Sequence, residues 1–425
     1  MLSIPISFRR LAVRILRMIR LKPLTLNSLP RKRQQELISN LRNSTGEDFA
    51  DYVLLASDFG TDGTLASSNY LSALLSGFAY NQKRIEIACT HLSPNYPIPA
   101  EFDTKTLPGG VDISLSALDA LIGENVRQLA ILRIDALFDF YTRVKLLRSR
   151  ASVVLLYSGE TPERAFERNG WGAQRQRRFF NFVSQNIDGI FVMTEMIRQY
   201  WISKGFSADR IFNTGPLVRA GAWQDLPASK VQNNVAMYFG NLSHQEVFDL
   251  IDVAKVVLKS IPSFKLRMHG DAPAERLAKF KEIAKHKGAE DCIEVYPAVP
   301  LCEMAALQQT ASVLLMPSRD WHRANMGFPN KLGEYMMSGR PVVASRVDGI
   351  SCWVSNEHVI FIPPGDVDAF ALGIVEVLQN PSAYQSLANN AHEHIMHLAD
   401  PVKNAVEMLN WVEEKVKRGR CSTYV

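Results

Sequence analysis

Residues 327–350 read GFPNKLGEYMMSGRPVVASRVDGI, and the reading of the fold starts there. Leu332, Tyr335 and Met336 recur at helical spacing, which turns one face toward a core and leaves Glu334 off it. Gly339 stands where a helix end needs a left-handed residue, and Pro341 forbids another turn. Val342, Val343 and Ala344 then form a short apolar run, the pattern of a parallel strand covered on both faces. The predicted unit is loop, helix, glycine stop, strand.

These residues resemble the donor-site signature of retaining glycosyltransferases with the GT-B fold, the large family-four group. The family pattern is Glu-Gly-Phe-Gly, four residues and a second Glu, a small-residue helix, then Gly-x-Pro-Val-Val. It falls here on Met326, Gly327, Phe328 and Pro329, then Glu334, Tyr335, Met336 and Met337, then Gly339, Pro341, Val342 and Val343. The likeness continues through Asp348-Gly349 and Pro364-Gly365-Asp366, is clear over the C-terminal half, and is weaker over residues 51–220. It implies an α/β chain of GT-B architecture, with two Rossmann-like, doubly wound domains facing a cleft.

Composition agrees with such a chain. A length of 425 residues exceeds what one core usually serves, so two domains are expected. Hydrophobic content of 47% with 21% charged residues is that of a soluble globular protein, and no apolar run is long enough to span a bilayer. The cysteines, at 89, 292, 302, 352 and 421, are scattered, odd in number and lack metal-ligand spacing, which fits a reducing, cytoplasmic setting.

Charge is unevenly placed. Residues 1–33 hold nine Lys and Arg and no acid, so +9 of charge sits there and −4 remains for the rest of a chain whose net is +5. A nucleic-acid footprint over the body is unsupported. Phe8, Leu11, Ala12, Ile15 and Ile19 share one helical face, with Arg10, Arg14, Arg17 and Lys22 mostly opposite, between Pro5 and Pro23. Three readings stand: a basic amphipathic helix on an anionic membrane surface, peripheral to its inner face; a helix docked on the protein itself; an organelle-targeting segment.

From Asp51 strand and helix alternate, the pattern of a doubly wound parallel sheet. Tyr52 to Ala56 reads as a first strand, followed by the loop SDFGTDGT and a helix near 66–79. Gly60 and Gly63 would let backbone approach a ligand, and the resembling family has a glycine loop here; the plain alternative is a turn. Further strands are expected at 85–90, 129–134 and 153–157, with a helix over 136–150. Functional loops of such sheets lie at strand C-terminal ends, which singles out His91, Arg133 with Asp135, and Ser158 to Glu163. Among these Glu160 is the acceptor-side and catalytic candidate. The stretch NGWGAQRQRR, 169–178, either closes over an acceptor or is an exposed loop and helix start.

Residues 1–48 are read as the basic segment, 49–225 as the acceptor-side domain, 226–398 as the donor domain, and 399–425 as a returning helix and tail. Strands of the second domain are expected at 235–239, 266–269, 293–296, 313–316, 342–344 and 360–362. Helix is expected over 366–398 and again from Val402 to Lys417.

A nucleotide sugar, UDP- or GDP-linked, is the implied substrate, with no cofactor and no metal. By the resemblance Glu334 holds the ribose; the sugar contact left open by Met326 must be rebuilt, with the Gly327 and Phe328 backbone amides and Asn325 or Asn330 as the candidates. The family's pyrophosphate-gripping Arg and Lys are replaced by Asn241 and Glu246, near Gly240, and Gly270 belongs to the next strand's loop. Compensating cations are sought in Lys331, Arg319, Arg323 and His322, with Lys331 and Arg319 the catalytic candidates. The expected function is transfer of a sugar, with retention, to a polysaccharide, lipid-linked or other acceptor. The alternative is a non-catalytic GT-B-like partner that binds a sugar nucleotide or a synthase; no motif supports an epimerase or phosphorylase.

Overall fold

A computed structural model of the chain describes residues 24–25, 52–59, 65–92, 102–106, 111–112, 127–133, 140–218, 220–223, 226–227, 229–319 and 326–422. The basic residues 1–23, the glycines Gly60 and Gly63, and the segment containing His322, Arg323 and Asn325 lie outside them.

The N-terminal strands are β1 (Leu24–Thr25), β2 (Tyr52–Phe59), β3 (Ile85–Leu92), β4 (Phe102–Thr106), β5 (Val111–Asp112), β6 (Arg127–Arg133), β7 (Ala151–Ser158), β8 (Gly189–Val192) and β9 (Ile211–Asn213). β1 pairs with β5, and the other seven form a parallel sheet ordered β4-β3-β2-β6-β7-β8-β9. Val153 to Leu156 are all buried, as a central parallel strand with helices on both faces requires. The second sheet comprises β10 (Val235–Phe239), β11 (Lys265–His269), β12 (Ile293–Tyr296), β13 (Val313–Met316), β14 (Val342–Ser345) and β15 (Ile360–Ile362), ordered β12-β11-β10-β13-β14-β15 and also parallel. Two doubly wound α/β domains of the GT-B kind result.

Each sheet has one private core and shares another. Val53, Leu132, Val154 and Phe179 belong to a cluster on the outer face of the first sheet. Ala236, Leu250, Leu315 and Ile374 belong to its counterpart on the second. A third cluster runs without a break from Tyr52 and Leu74 through Leu332 and Tyr335 to Met408 and Val412, joining both inner faces. The last helix, Pro401–Ser422, seals that joint. Trp411 packs on Phe191 and Phe212 at centroid distances of 5.7 and 5.6 Å, over Gly189, where a Cβ would stand 2.3 Å from the indole edge. Lys415 Nζ donates to the Asp209 carbonyl at 2.8 Å.

Several element bounds differ from those read in the sequence. β2 continues to Phe59, so Ser57 and Asp58 are strand residues, and β3 reaches Leu92, which puts His91 in the strand with Asp58 as its cross-strand neighbour. Parallel pairing uses backbone groups and therefore outruns the apolar stretch that announced it. The helix expected over 366–398 is two, Val367–Gln379 and Pro381–Leu398, because Pro381 lacks the N–H that would continue the first and sits instead at the start of the second. β4 and the helices Glu163–Arg168, Glu195–Ser203, Ala274–His286 and Leu301–Gln309 were not individually expected.

Candidate active site

The strand order of the second sheet reverses between β10 and β13, and ligands of such sheets bind in the crevice beyond the strand C-termini at that point. β10 ends at Phe239 and the chain turns at Gly240, whose φ of +142° suits glycine and strains other residues. Its neighbour across the sheet is tighter still: a Cβ on Gly270 would stand 1.7 Å from the Gly240 carbonyl oxygen. The two glycines let the loops after β10 and β11 close onto each other, with Gly240 N–H donating to the His269 carbonyl at 2.9 Å.

The helix Asn330–Met337 stands over this turn and buries Leu332, Tyr335 and Met336, the face its spacing predicts, together with Gly333 and Met337. Gly339 ends it at φ +65°. Tyr335 is fully buried, and its hydroxyl accepts from the Phe239 N–H at 2.8 Å, which fastens the helix to the end of β10. Desolvation raises the Tyr335 pKa far above the usual phenol value, so the hydroxyl stays neutral. Lys331 lies one turn earlier on the same face. Its Nζ donates to the Tyr238 hydroxyl at 3.0 Å and sits 4.2 Å from the centre of that ring. A Cβ on Gly240 would be 2.8 Å from the same ammonium. Glu334, half-buried, follows Lys331 by three residues on the helix surface. Pro329 precedes the helix with no side-chain cap on the first turn, so the end of the helix dipole adds positive potential beside Lys331.

An aromatic ladder forms the floor on the far side. Phe239, His269 and Tyr296 are the last residues of three adjacent strands and pair in register. The His269 ring stacks against Phe239 and Tyr296, at 4.9 Å from each. Burial, aided by the Arg267 charge, lowers the His269 pKa, which keeps the imidazole neutral.

The other expected site residues are distributed as follows. Arg319 lies in the loop after β13, but its guanidinium makes a two-pronged pair with Asp249, with Nε to Oδ2 at 2.8 Å. That pair, together with the Glu246 charge, raises its pKa and holds the cation toward the helix Gln245–Ser260. Glu246 also stands 3.6 Å from His244 Nδ1. Asn241 is exposed and closes a local turn, its Oδ1 accepting from Ser243 N–H at 2.7 Å. Phe328 is buried in the shared core, so its ring is structural there. Asn330 opens the helix beside Lys331. Glu160 is exposed on the facing domain, in a turn held by Ser158 Oγ donating to its carbonyl at 2.8 Å.

The two domains touch across this site at the stretch where the resembling family carries its first Glu. Met326 packs against the outer core of the N-terminal domain, and its carbonyl accepts from Thr194 Oγ1. A Cβ on Gly327 would stand 2.9 Å from the Gly159 carbonyl oxygen. Thr194 also caps the helix Glu195–Ser203, accepting from Ile197 N–H at 3.2 Å. Position 326 is therefore part of an interdomain contact.

Tyr238, His269, Tyr296 and Thr194 escaped the sequence reading. The first three are visible only once strand order is known. Thr194 carried a usable signal, a Thr followed by Glu195 at a helix start, without a hint of its second partner. No group of three or more His, Cys, Asp or Glu among the described residues is arranged to hold a metal, and no described helix is long and apolar enough to cross a membrane.

Comparison with known proteins follows the same division. Residues 233–380 match the family model of glycosyl transferases group 1. Among curated proteins none matches the sequence. Solved structures match over both domains. Sucrose-phosphate synthase from Thermosynechococcus elongatus aligns at TM-score 0.64 and 16% identity, over 85% of this chain and 98% of that one. HepE of Anabaena, in complex with UDP and glucose, aligns at TM-score 0.64 and 12% identity over 86% of this chain and 100% of that one. A TarM mutant of S. aureus, in complex with α-GlcNAc-glycerol and UDP among others, aligns at TM-score 0.55 and 16% identity over 70% of this chain, which spans only 58% of the TarM chain. The turn at Gly240, the helix from Asn330 and the glycine stop at Gly339 thus lie within the residues that match the glycosyl transferases group 1 model, in a chain whose fold is that of the GT-B structures it aligns with.

Proposed function

We propose that the protein transfers a sugar from a nucleotide-diphosphate donor, with retention of anomeric configuration and without a metal, to a polysaccharide, lipid-linked or other acceptor. One observation carries this reading: Lys331 is fixed over the Gly240 turn at the switch point of the second sheet, with Glu334 one turn further on. A leaving diphosphate develops negative charge as the glycosidic bond breaks, and a cation already in position stabilises it without reorganisation. Lys331 supplies a point charge, and the uncapped helix start adds its dipole. Glu334 accepts from ribose hydroxyls, and the neutral ladder ending at Tyr296 offers an apolar wall to the base. UDP is the first nucleotide to test, because HepE is described as a complex with it. The residual role of Glu160 is on the acceptor side, one residue from the Gly159 carbonyl that meets the donor loop. Membrane contact through residues 1–23 belongs to the same reading; their removal should release the chain from anionic vesicles, and equal retention of both forms would count against it.

A second reading, a non-catalytic partner that binds a sugar nucleotide or a synthase, has its own observations. Met326 is engaged with the other domain, the Asn241 amide is held in a local turn by Ser243, and Arg319 is tied to Asp249. One experiment separates the two. Lys331→Ala should cut donor turnover about tenfold to a hundredfold, the worth of a charged hydrogen bond. Asn241→Arg with Glu246→Lys should then restore part of it. Wild-type protein that turns over no nucleotide sugar, while the double variant does, would establish the partner reading; a silent Lys331→Ala in active protein would refute the role of Lys331.

A further inference from the structure

The N-terminal domain carries a second cationic feature, away from the donor turn. Arg175, Arg177 and Arg178 open the helix Ala173–Asn186, all exposed, and its first turn holds no acid. Among the described residues no carboxylate pairs with any of the three. Of the acids flanking this stretch, Glu163 faces Lys204 at 3.5 Å and Asp188 pairs with Arg148.

Two of these arginines are directed to one place. Arg175 and Arg178 are three residues apart and share a face, whereas Arg177 points elsewhere. The Arg175 guanidinium stacks on the buried Trp171 ring at 4.1 Å, which holds its plane and leaves its N–H edge available for a two-pronged contact. Tyr141, on the helix Phe140–Arg150, is held by Phe182 at a ring distance of 4.6 Å. Phe182 follows Arg178 by four residues, so Tyr141 packs on the helix face that carries Arg175 and Arg178. Burial raises the phenol pKa, and the charges of Arg175 and Arg178 act against that rise. Two guanidinium groups on one helix face beside a phenol, with no carboxylate among the described residues pairing with them, repel each other until an anion joins them.

Topology puts this cluster on the cleft side. The helix from Phe140 follows β6, and the helix from Ala173 follows β7, so both begin at the C-terminal edge of the first sheet. That edge continues into Gly159, whose carbonyl meets Gly327 of the donor loop. We propose that Arg175, Arg178 and the Tyr141 hydroxyl form a phosphate-binding notch on the acceptor side, and that the acceptor carries a phosphoryl group near the hydroxyl to be glycosylated. The second clause rests on the glycosyltransferase reading; the notch itself does not.

The test is chemical modification of the full chain with phenylglyoxal, which labels arginine, read residue by residue by mass spectrometry of chymotryptic peptides. Inorganic pyrophosphate should slow labelling of Arg175 and Arg178 and leave Arg177 unchanged. Arg178→Ala should raise the pyrophosphate concentration for half-protection of Arg175 about tenfold or more, and Tyr141→Phe about fivefold, the worth of a charged and a neutral hydrogen bond. Arg178→Lys should fall between, and an unchanged melting temperature verifies that each variant folds. Repeating the series in Lys331→Ala removes the donor site from consideration, so loss of transferase activity and loss of the notch are read separately. Unchanged labelling of Arg175 with pyrophosphate overturns the notch. So does protection of Arg175, Arg177 and Arg178 alike by phosphatidylglycerol vesicles when pyrophosphate protects none, since the face would then meet a bilayer surface.

Discussion

Replacing Tyr335 by Phe deletes one oxygen atom and tests how the donor site is held. The ring is fully buried and keeps its apolar contacts in the variant, so helix Asn330–Met337 should still form. What is lost is the acceptor for the Phe239 N–H at 2.8 Å, in a place that water does not reach. A buried donor left without a partner costs about 1–3 kcal/mol. For a domain of this size that lowers the melting temperature by about 2–4 °C per kcal/mol. The second consequence is local. Lys331 shares the helix face of Tyr335, so a helix freed from β10 no longer holds the ammonium over Gly240. Tyr335→Phe should therefore lower both melting temperature and affinity for UDP, measured by scanning fluorimetry with a nucleotide titration. A variant within about 0.5 kcal/mol of wild type, as ordinary surface changes are, and with unaltered UDP affinity, would refute the fastening argument.

Three further outcomes are expected. Glu334→Ala should weaken nucleotide binding by about 1.5–3 kcal/mol by calorimetry without changing the melting temperature; equal affinity would remove Glu334 from the ribose. Trp411→Ala empties the seat over Gly189 between Phe191 and Phe212 and should cost about 3 kcal/mol in urea unfolding, the low end for a large aromatic because this one is half-buried. His269→Phe bears on pH. The lowered folded-state pKa means that the unfolded chain binds a proton more readily, so the stability linked to His269 is complete above the ordinary value of 6.5 and is lost as pH falls below it. The variant should flatten the acid limb of a stability–pH curve in that window, and an unchanged limb would place the titration elsewhere.

Much of the donor domain was legible beforehand because its signals are local. Leu332, Tyr335 and Met336 at helical spacing, Gly339 followed by Pro341, and the run Val342 to Ala344 each depend on a few adjacent residues, and each came out as read. The six strands of the second sheet were also found: β10, β13 and β14 are short runs buried throughout, and β11 and β12 carry alternating polar residues toward the sheet edge. The N-terminal domain was harder to read. Its strands outrun their apolar stretches, and short helices such as Glu163–Arg168 are too brief to show a period.

What the sequence by itself determined is the repeating α/β unit, the two-domain GT-B plan, and Lys331 with Glu334 as donor-site candidates. Only the tertiary structure decided the partners. Arg319 turned to Asp249, Met326 to the opposite domain, and Lys331 to Tyr238, choices made between residues 70, 132 and 93 positions apart. The ladder of Phe239, His269 and Tyr296 likewise exists only because β10, β11 and β12 lie side by side. Periodicity records which face of an element is apolar. It carries no record of which element will lie against that face, because that is chosen by packing among segments distant in the chain.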